Sequence, residues 1–268
     1  MSRLTEQSFW EAGYSSGTWD QFDAETGDRR RWRAWHDAAF WERLLPQFLD
    51  KRAGQKVVEV GAAPARNLLR LHKRFGLDPW GVEYTEAGVA ASRARLERIG
   101  CAPDQILQAD VFDAEALKAW EGTFDVAFSM GFIEHFDDPS VAVSRHLDLL
   151  KPGGLLVVTV PAYVGLNLSL MTFFWPELVE MHNLDVMRVD ALRATLDTAR
   201  ARLLHCAPYG TVNLAGFTTR PGPKRHLLRV LRGCQALLDL GLNAGLGRVA
   251  PQVEGVAPYL ALVAEKTA

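Results

Sequence analysis

The chain has 268 residues, a formal net charge of −2 and 48% hydrophobic residues, enough length for one large α/β domain with a substantial core. That charge balance offers no electrostatic reason to expect nucleic acid as a partner. Cys101, Cys206 and Cys234 are an odd, scattered set without a CxxC, so they point to neither a disulfide framework nor a zinc site, and no metal ligand set is expected.

Met1-Ser2-Arg3-Leu4-Thr5 lacks the apolar core of a signal peptide, and no apolar run reaches the ~18 residues of a membrane span, so the expected compartment is the cytoplasm. Residues 1 to 55 hold five of the eight tryptophans: Trp10, Trp19, Trp32, Trp35 and Trp41. The stretch from Phe9 to Tyr14 reads as a short helix or turn, followed by a polar loop through Asp28. From Arg29 to Leu49, Trp32, Trp35, Phe40, Trp41, Leu44, Leu45 and Phe48 recur at helical spacing. Trp10 and Tyr14 are four apart and share a helix face, which either packs onto the sheet or lies over a site.

Val57-Val58-Glu59-Val60 is apolar enough for a buried strand of a parallel sheet. A tight turn, Gly61-Ala62-Ala63-Pro64-Ala65-Arg66, leads into a helix that ends at Gly76. In open α/β sheets a ligand is held at such a strand's carboxyl edge, beside the helix N-terminus. Gly61, lacking a Cβ, lets the backbone approach it, and Glu59 would offer negative charge to an amine or hydroxyls. Only one glycine of G-x-G-x-x-G survives here and Pro64 suits pyrophosphate capture poorly, which argues against a nicotinamide dinucleotide.

Trp80-Gly81-Val82-Glu83-Tyr84 is the second strand, with Glu83 24 residues after Glu59, a spacing that suits an acidic grip on two ribose hydroxyls. Thr85 caps the next helix. Ile106 to Phe112 is the third strand with its exit, and Phe124 to Gly131 the fourth, its Asp125 structural. Phe132-Ile133-Glu134-His135-Phe136-Asp137-Asp138-Pro139 follows, and Leu149 to Pro161 contains a Lys151-Pro152-Gly153-Gly154 turn and a fifth strand.

These five stretches, in order over residues 57 to 161, resemble the class I S-adenosylmethionine (SAM) methyltransferases of the small-molecule type. The first resembles their motif (D/E)-x-G-x-G-x-G, with Ala63 and Ala65 at the second and third glycines, each adding a methyl where the cofactor's methionine moiety passes. The resemblance implies an α/β, Rossmann-like seven-stranded sheet with helices on both faces, and SAM as cofactor. It implies cofactor contacts from Glu59, Gly61, Ala63, Glu83 and Met130. Tyr84 would lie against the adenine, Asp110 would accept from its 6-amino group, and the Val111 amide would meet the ring. Trp10 and Tyr14 would close the site as part of an N-terminal helical lid spanning residues 1–55. His135 stands near the cofactor in the family plan and His182 could face the substrate, so these two are the catalytic candidates. The implied activity is methyl transfer to a small-molecule acceptor, oxygen favoured slightly over nitrogen because histidines are at hand as bases. Ala63 and Ala65 leave open a SAM-binding sensor or scaffold without transfer activity.

Beyond Pro161 only the general plan is matched, with a helix over 189–201, a sixth strand over 202–207 and a seventh over 259–264, antiparallel at the sheet edge in the family. The domain so defined, residues 56–268, carries insertions at 165–185 and 211–255, which are expected to form a helical cap after strands five and six, over a partly hydrophobic acceptor. Apolar Leu168, Leu170, Met171, Phe173, Phe174 and Trp175 would equally suit a homodimer interface. On a helix over 224–240, Leu227, Leu231, Cys234 and Leu238 form a stripe beside Lys224, Arg225, Arg229 and Arg232, which packs on its own domain or lies on a membrane surface.

Overall fold

The computed structural model describes residues 2–16, 34–211, 213, 223–248 and 250–268; Trp19, Trp32 and much of the loop before the long C-terminal helix lie outside them. Helix α1 (Gln7–Ser15) comes first, then α2 (Trp35–Ala38), which continues through a π-helical stretch, Ala39–Leu44, into α3 (Pro46–Leu49). Strands and helices then alternate as β1 (Lys56–Val60), α4 (Arg66–Phe75), β2 (Asp78–Glu83), α5 (Glu86–Glu97), β3 (Ile106–Gln108) and α6 (Ala114–Leu117). They continue as β4 (Phe124–Met130), α7 (Pro139–Leu149), β5 (Leu150–Pro161), α8 (Gly165–Phe174), α9 (Pro176–Val179) and α10 (Val189–Ala194). The last elements are β6 (Ala201–Tyr209), α11 (Pro223–Asn243) and β7 (Tyr259–Lys266).

The seven strands form one sheet in the order β3-β2-β1-β4-β5-β7-β6. β1 pairs in parallel with β2 and with β4 and is buried on both faces. Alternation along it sends Val57 to one core, with Phe40, Leu68, Leu71 and Phe128, and Val58 and Val60 to the other, with Ile133, Leu147 and Val158. Each such side chain contributes roughly 1.5–3 kcal/mol by leaving water. Gly76 ends α4 in the left-handed conformation and the Thr85 side chain caps α5 through the Gly88 amide.

The structure corrects four local expectations. β7 is antiparallel but lies between β5 and β6, and β6 is the edge strand. Burial explains the placement: Leu260 to Ala264 are fully enclosed, whereas most of β6 is half-exposed. The helix begun at Val189 ends at Ala194, because the Thr195 hydroxyl donates to the Leu192 carbonyl and Asp197 turns the chain by accepting from the Ala199 amide. Residues 151–154 are not a turn before β5 but an irregularity within it, where the pairing with β4 slips. On α11 the buried face is Leu228, Gln235, Asp239 and Leu242, while Leu227, Cys234 and Leu238 are exposed. Leu231 alone of the expected stripe is partly buried, against α8 and α9.

Candidate cofactor and acceptor site

A cavity opens at the carboxyl edge of the sheet where β1 has β2 on one side and β4 on the other, the switch point at which open α/β sheets hold ligands. The ends of β1 to β4 wall it, and the N-terminal residues from Arg3 to Tyr14 cross it. Gly61 takes φ +71, and a Cβ there would come within 2.8 Å of the Phe132 ring. Ala65 also adopts a left-handed φ, +62, at the N-cap of α4, where the family motif has glycine.

Glu83 stands in the cavity wall almost wholly buried, and its carboxylate is held in place by three donors. One oxygen accepts from the Thr85 amide at 2.8 Å and hydroxyl at 2.7 Å; the other accepts from the Ala63 amide at 3.3 Å. Burial pushes its pKa up, against these hydrogen bonds. Gly88 makes room for this arrangement, since a Cβ there would lie 2.8 Å from the Ala63 Cβ and 3.1 Å from the Glu83 carboxyl carbon. The second oxygen retains lone-pair capacity toward the cavity.

Tyr84, Asp110, Val111 and Met130 line the same cavity. Arg3 joins two of them: its guanidinium pairs with the Asp110 carboxylate and lies 4.8 Å from the Tyr84 ring centre. The N-terminal strap is anchored along its length. Leu4 donates its amide to the His135 carbonyl at 2.9 Å, Glu11 accepts from the Ala87 amide at 3.0 Å, and the Tyr14 hydroxyl donates to the Ala63 carbonyl at 3.0 Å. Trp10 meets His135 edge to face at 5.1 Å. Trp10 and Tyr14 therefore share one side of the cavity, as their spacing requires.

Glu59 does not reach the cavity. It is 3% exposed, and one carboxylate oxygen accepts from the Asn67 side chain at 2.7 Å. The valine-rich strand carries it beneath the Gly61 turn, against the start of α4, where burial raises its pKa to about 8.

Beyond Met130 a second group of polar side chains gathers. His135 lines the cavity, and His182 lies behind it with ring centres 4.6 Å apart. The His135 Nδ1 faces the Met181 carbonyl at 3.1 Å and the Thr5 hydroxyl at 2.9 Å; the His182 Nδ1 faces the Leu178 carbonyl at 2.6 Å. Carbonyls only accept, so each ring carries its proton on Nδ1 and presents an Nε2 lone pair. Burial, and for His135 also the neighbouring His182, disfavours the charged rings, taking His135 down to about 3. Glu134 completes the group, 1% exposed, with one carboxylate oxygen lacking a hydrogen-bond partner among the described residues. Burial lifts its pKa to about 8. Arg3, Thr5, Phe132 and Glu134 were not assigned site roles from sequence; Glu134 sits beside His135 in chain order, while nothing local marks Thr5.

The insertions pack on one another beside this group. Met171 and Phe174 of α8 form a small apolar cluster with Leu228 of α11, and Asp239 of α11 accepts from the Trp35 amide at 3.0 Å, tying in α2. Of the apolar run, Met171 and Phe174 are buried, whereas Phe173, like the neighbouring Leu166, is exposed.

This architecture meets its counterparts among known proteins. A family model described as a methyltransferase domain matches residues 29–205. The chain is 26% identical over 129 residues to the tRNA U34 carboxymethyltransferase of Syntrophotalea carbinolica, covering 46% of this chain and 37% of that one. It is 33% identical over 120 residues to the ubiquinone/menaquinone biosynthesis C-methyltransferase UbiE of Roseobacter denitrificans, covering 44% and 47%. A SAM-dependent methyltransferase from Archaeoglobus fulgidus superposes with a TM-score of 0.53 at 17% identity, over 88% of this chain and 97% of that one. The protein belongs to the methyltransferase-domain family, and SAM is the cofactor that its cavity suits. The matched stretch spans less than half the length of these curated relatives.

Proposed function

We propose that the protein transfers a methyl group from SAM to a hydroxyl of a small-molecule acceptor. When bound, SAM supplies a methyl group already activated on a sulfonium. What remains for the chain is to orient the two reactants and exclude water. Glu83 would hold the ribose, the Gly61 turn would admit the methionine end, and Tyr84 with Val111 would flank the adenine. Trp10, edge-on to His135, adds an aromatic wall suited to a cationic sulfur. Arg3 and the strap behind it would exclude solvent.

The observation that carries the oxygen acceptor is the neutral imidazole of His135 on the cavity wall, with His182 behind it. The His135 proton is committed to the Met181 carbonyl, so its Nε2 can only accept, which suits hydrogen bonding to and orienting a hydroxyl rather than a group offering a lone pair. The net charge of −2 favours a small molecule over RNA. S-adenosylhomocysteine release, followed by mass spectrometry of products from a panel of hydroxylated, amino and RNA acceptors, tests the reading. An O-methylated small molecule is expected. Methyl groups only on nitrogen or RNA would overturn it, and tight SAM binding without turnover would instead indicate a sensor or scaffold.

A further inference from the structure

We propose that Glu134, His135 and His182 hold a divalent first-row transition-metal ion, and that the acceptor's hydroxyl oxygen completes its coordination. The second half of this proposal rests on the hydroxyl-acceptor reading above; the first does not. With both Nε2 lone pairs on the ion, the imidazoles act as ligands, and the ion takes over holding the hydroxyl and, by acidifying it, favours loss of its proton to solvent.

One ligand atom from each of the three residues lies within 4.8 Å of the other two. The tautomers are those a metal site needs. Each Nδ1–H is spent on a backbone carbonyl, His135 on Met181 and His182 on Leu178, which aims a neutral Nε2 lone pair away from the backbone. Metal-ligating histidines are held in this way by an acceptor on the other ring nitrogen. Thr5, donating to the same Met181 carbonyl at 3.1 Å while facing the His135 Nδ1, fixes that ring from a second direction.

Glu134 adds an acceptor that no described residue uses: one oxygen of its enclosed carboxyl group has no hydrogen-bond partner. A carboxyl group so enclosed stays neutral unless a positive charge compensates it, so a cation there would bind by displacing its proton. Two neutral imidazoles and one carboxylate are the donor set that selects Mn²⁺, Fe²⁺, Co²⁺ or Zn²⁺ over Mg²⁺ and Ca²⁺, and it leaves coordination positions open. Bond lengths of roughly 2.0–2.2 Å put donor atoms about 3.0–3.5 Å apart, so the three must converge by up to about 1.8 Å, which side-chain rotations supply. The scaffold is already tied: the Asn183 amide donates to the Glu134 carbonyl at 2.7 Å, and the Asn183 side chain donates to the Phe136 and Asp137 carbonyls. The segment bearing His182 is thereby clamped to the one bearing Glu134 and His135.

The test uses the full, untagged chain after chelator treatment, titrated with Co²⁺ and followed by its visible d–d absorption, with Zn²⁺ calorimetry in parallel. One equivalent should bind, and Glu134→Gln and His182→Ala should each weaken binding by about 10–100-fold. SAM affinity, measured on the same samples, should stay close to wild type and certify that the variants are folded. Absence of a stoichiometric Co²⁺ or Zn²⁺ equivalent in the wild type, or variants that bind as the wild type does, would overturn the site. If the cation binds as expected while product analysis shows only nitrogen or carbon methylation, the hydroxyl reading fails and the cation site stands.

Discussion

At the scale of single residues, the site turns on a few side chains whose surroundings leave little choice. Glu83 has three protein donors and lone pairs to spare, so two charge-assisted bonds to ribose hydroxyls, each worth about 1.5–3 kcal/mol, depend on it. Glu83→Ala should weaken SAM binding more than ~10-fold in calorimetry with circular dichroism unchanged; unchanged affinity would remove the ribose role. Gly61→Val meets the Phe132 ring before any cofactor and forces a branched residue into positive φ, so it should abolish SAM binding. Ala65→Gly does the reverse, releasing a left-handed alanine. Relief of about 1–2 kcal/mol of left-handed strain outweighs about 0.4–1 kcal/mol of added chain entropy, so unfolding stability should rise by about 0.5–1 kcal/mol in denaturant titration.

At the scale of elements, the N-terminal segment and the two insertions are the parts added to the sheet. The first lines the cavity with Arg3, Thr5, Trp10 and Tyr14, and the insertions pack on one another. The small cluster of Met171, Phe174 and Leu228 is separate from the two cores that clasp the sheet. Phe174→Ala should therefore cost about 3–5 kcal/mol locally, loosening α8 against α11 without disturbing Glu83 or the Gly61 turn. SAM affinity should stay within about threefold while turnover falls at least ~10-fold. Light scattering on the same variant decides between cap and interface: a change in molecular mass with activity per subunit intact would assign the insertion to a dimer contact instead.

Across the whole molecule, buried acids make stability depend on pH. Glu59 has a folded pKa of about 8 against an ordinary 4.5, so the native state holds its proton more tightly than the unfolded chain does. Stability attributable to this group is accordingly full below the ordinary value and is lost as pH rises toward about 8, beyond which the loss is complete. Glu59→Gln keeps the oxygen that accepts from Asn67 and removes the charge. Its melting temperature should match the wild type near pH ~5 and exceed it near pH ~8.5, by on the order of 1–3 kcal/mol of stability. A constant difference across that range would mean that Glu59 is ionised at no such cost.

The sequence by itself determined the elements whose signals are local. Valine-rich runs, Gly76 and Thr85 at helix ends and an acidic residue closing the second strand are nearest-neighbour patterns, and they placed β1 to β5 and most of the cavity wall. It could not determine what depends on which faces meet. Glu83 ends β2 and Glu59 lies one residue before the end of β1, yet one faces the cavity and the other turns under α4, because neighbouring strands and helices decide where each side chain has room. β7 carries the unbroken apolar run of an interior strand, a legible signal that the expectation of an edge position overrode. α11 has apolar residues around most of its circumference, so periodicity alone could not choose its buried face; Leu228 and Asp239 were selected by α8 and by the Trp35 amide. The meeting of Thr5, Glu134, His135 and His182 was beyond any local reading. They come from three separated segments, and only the folded chain, by pairing residues 2–4 with 135–137 and clamping Asn183 to Glu134, brings their ring nitrogens and carboxylate together.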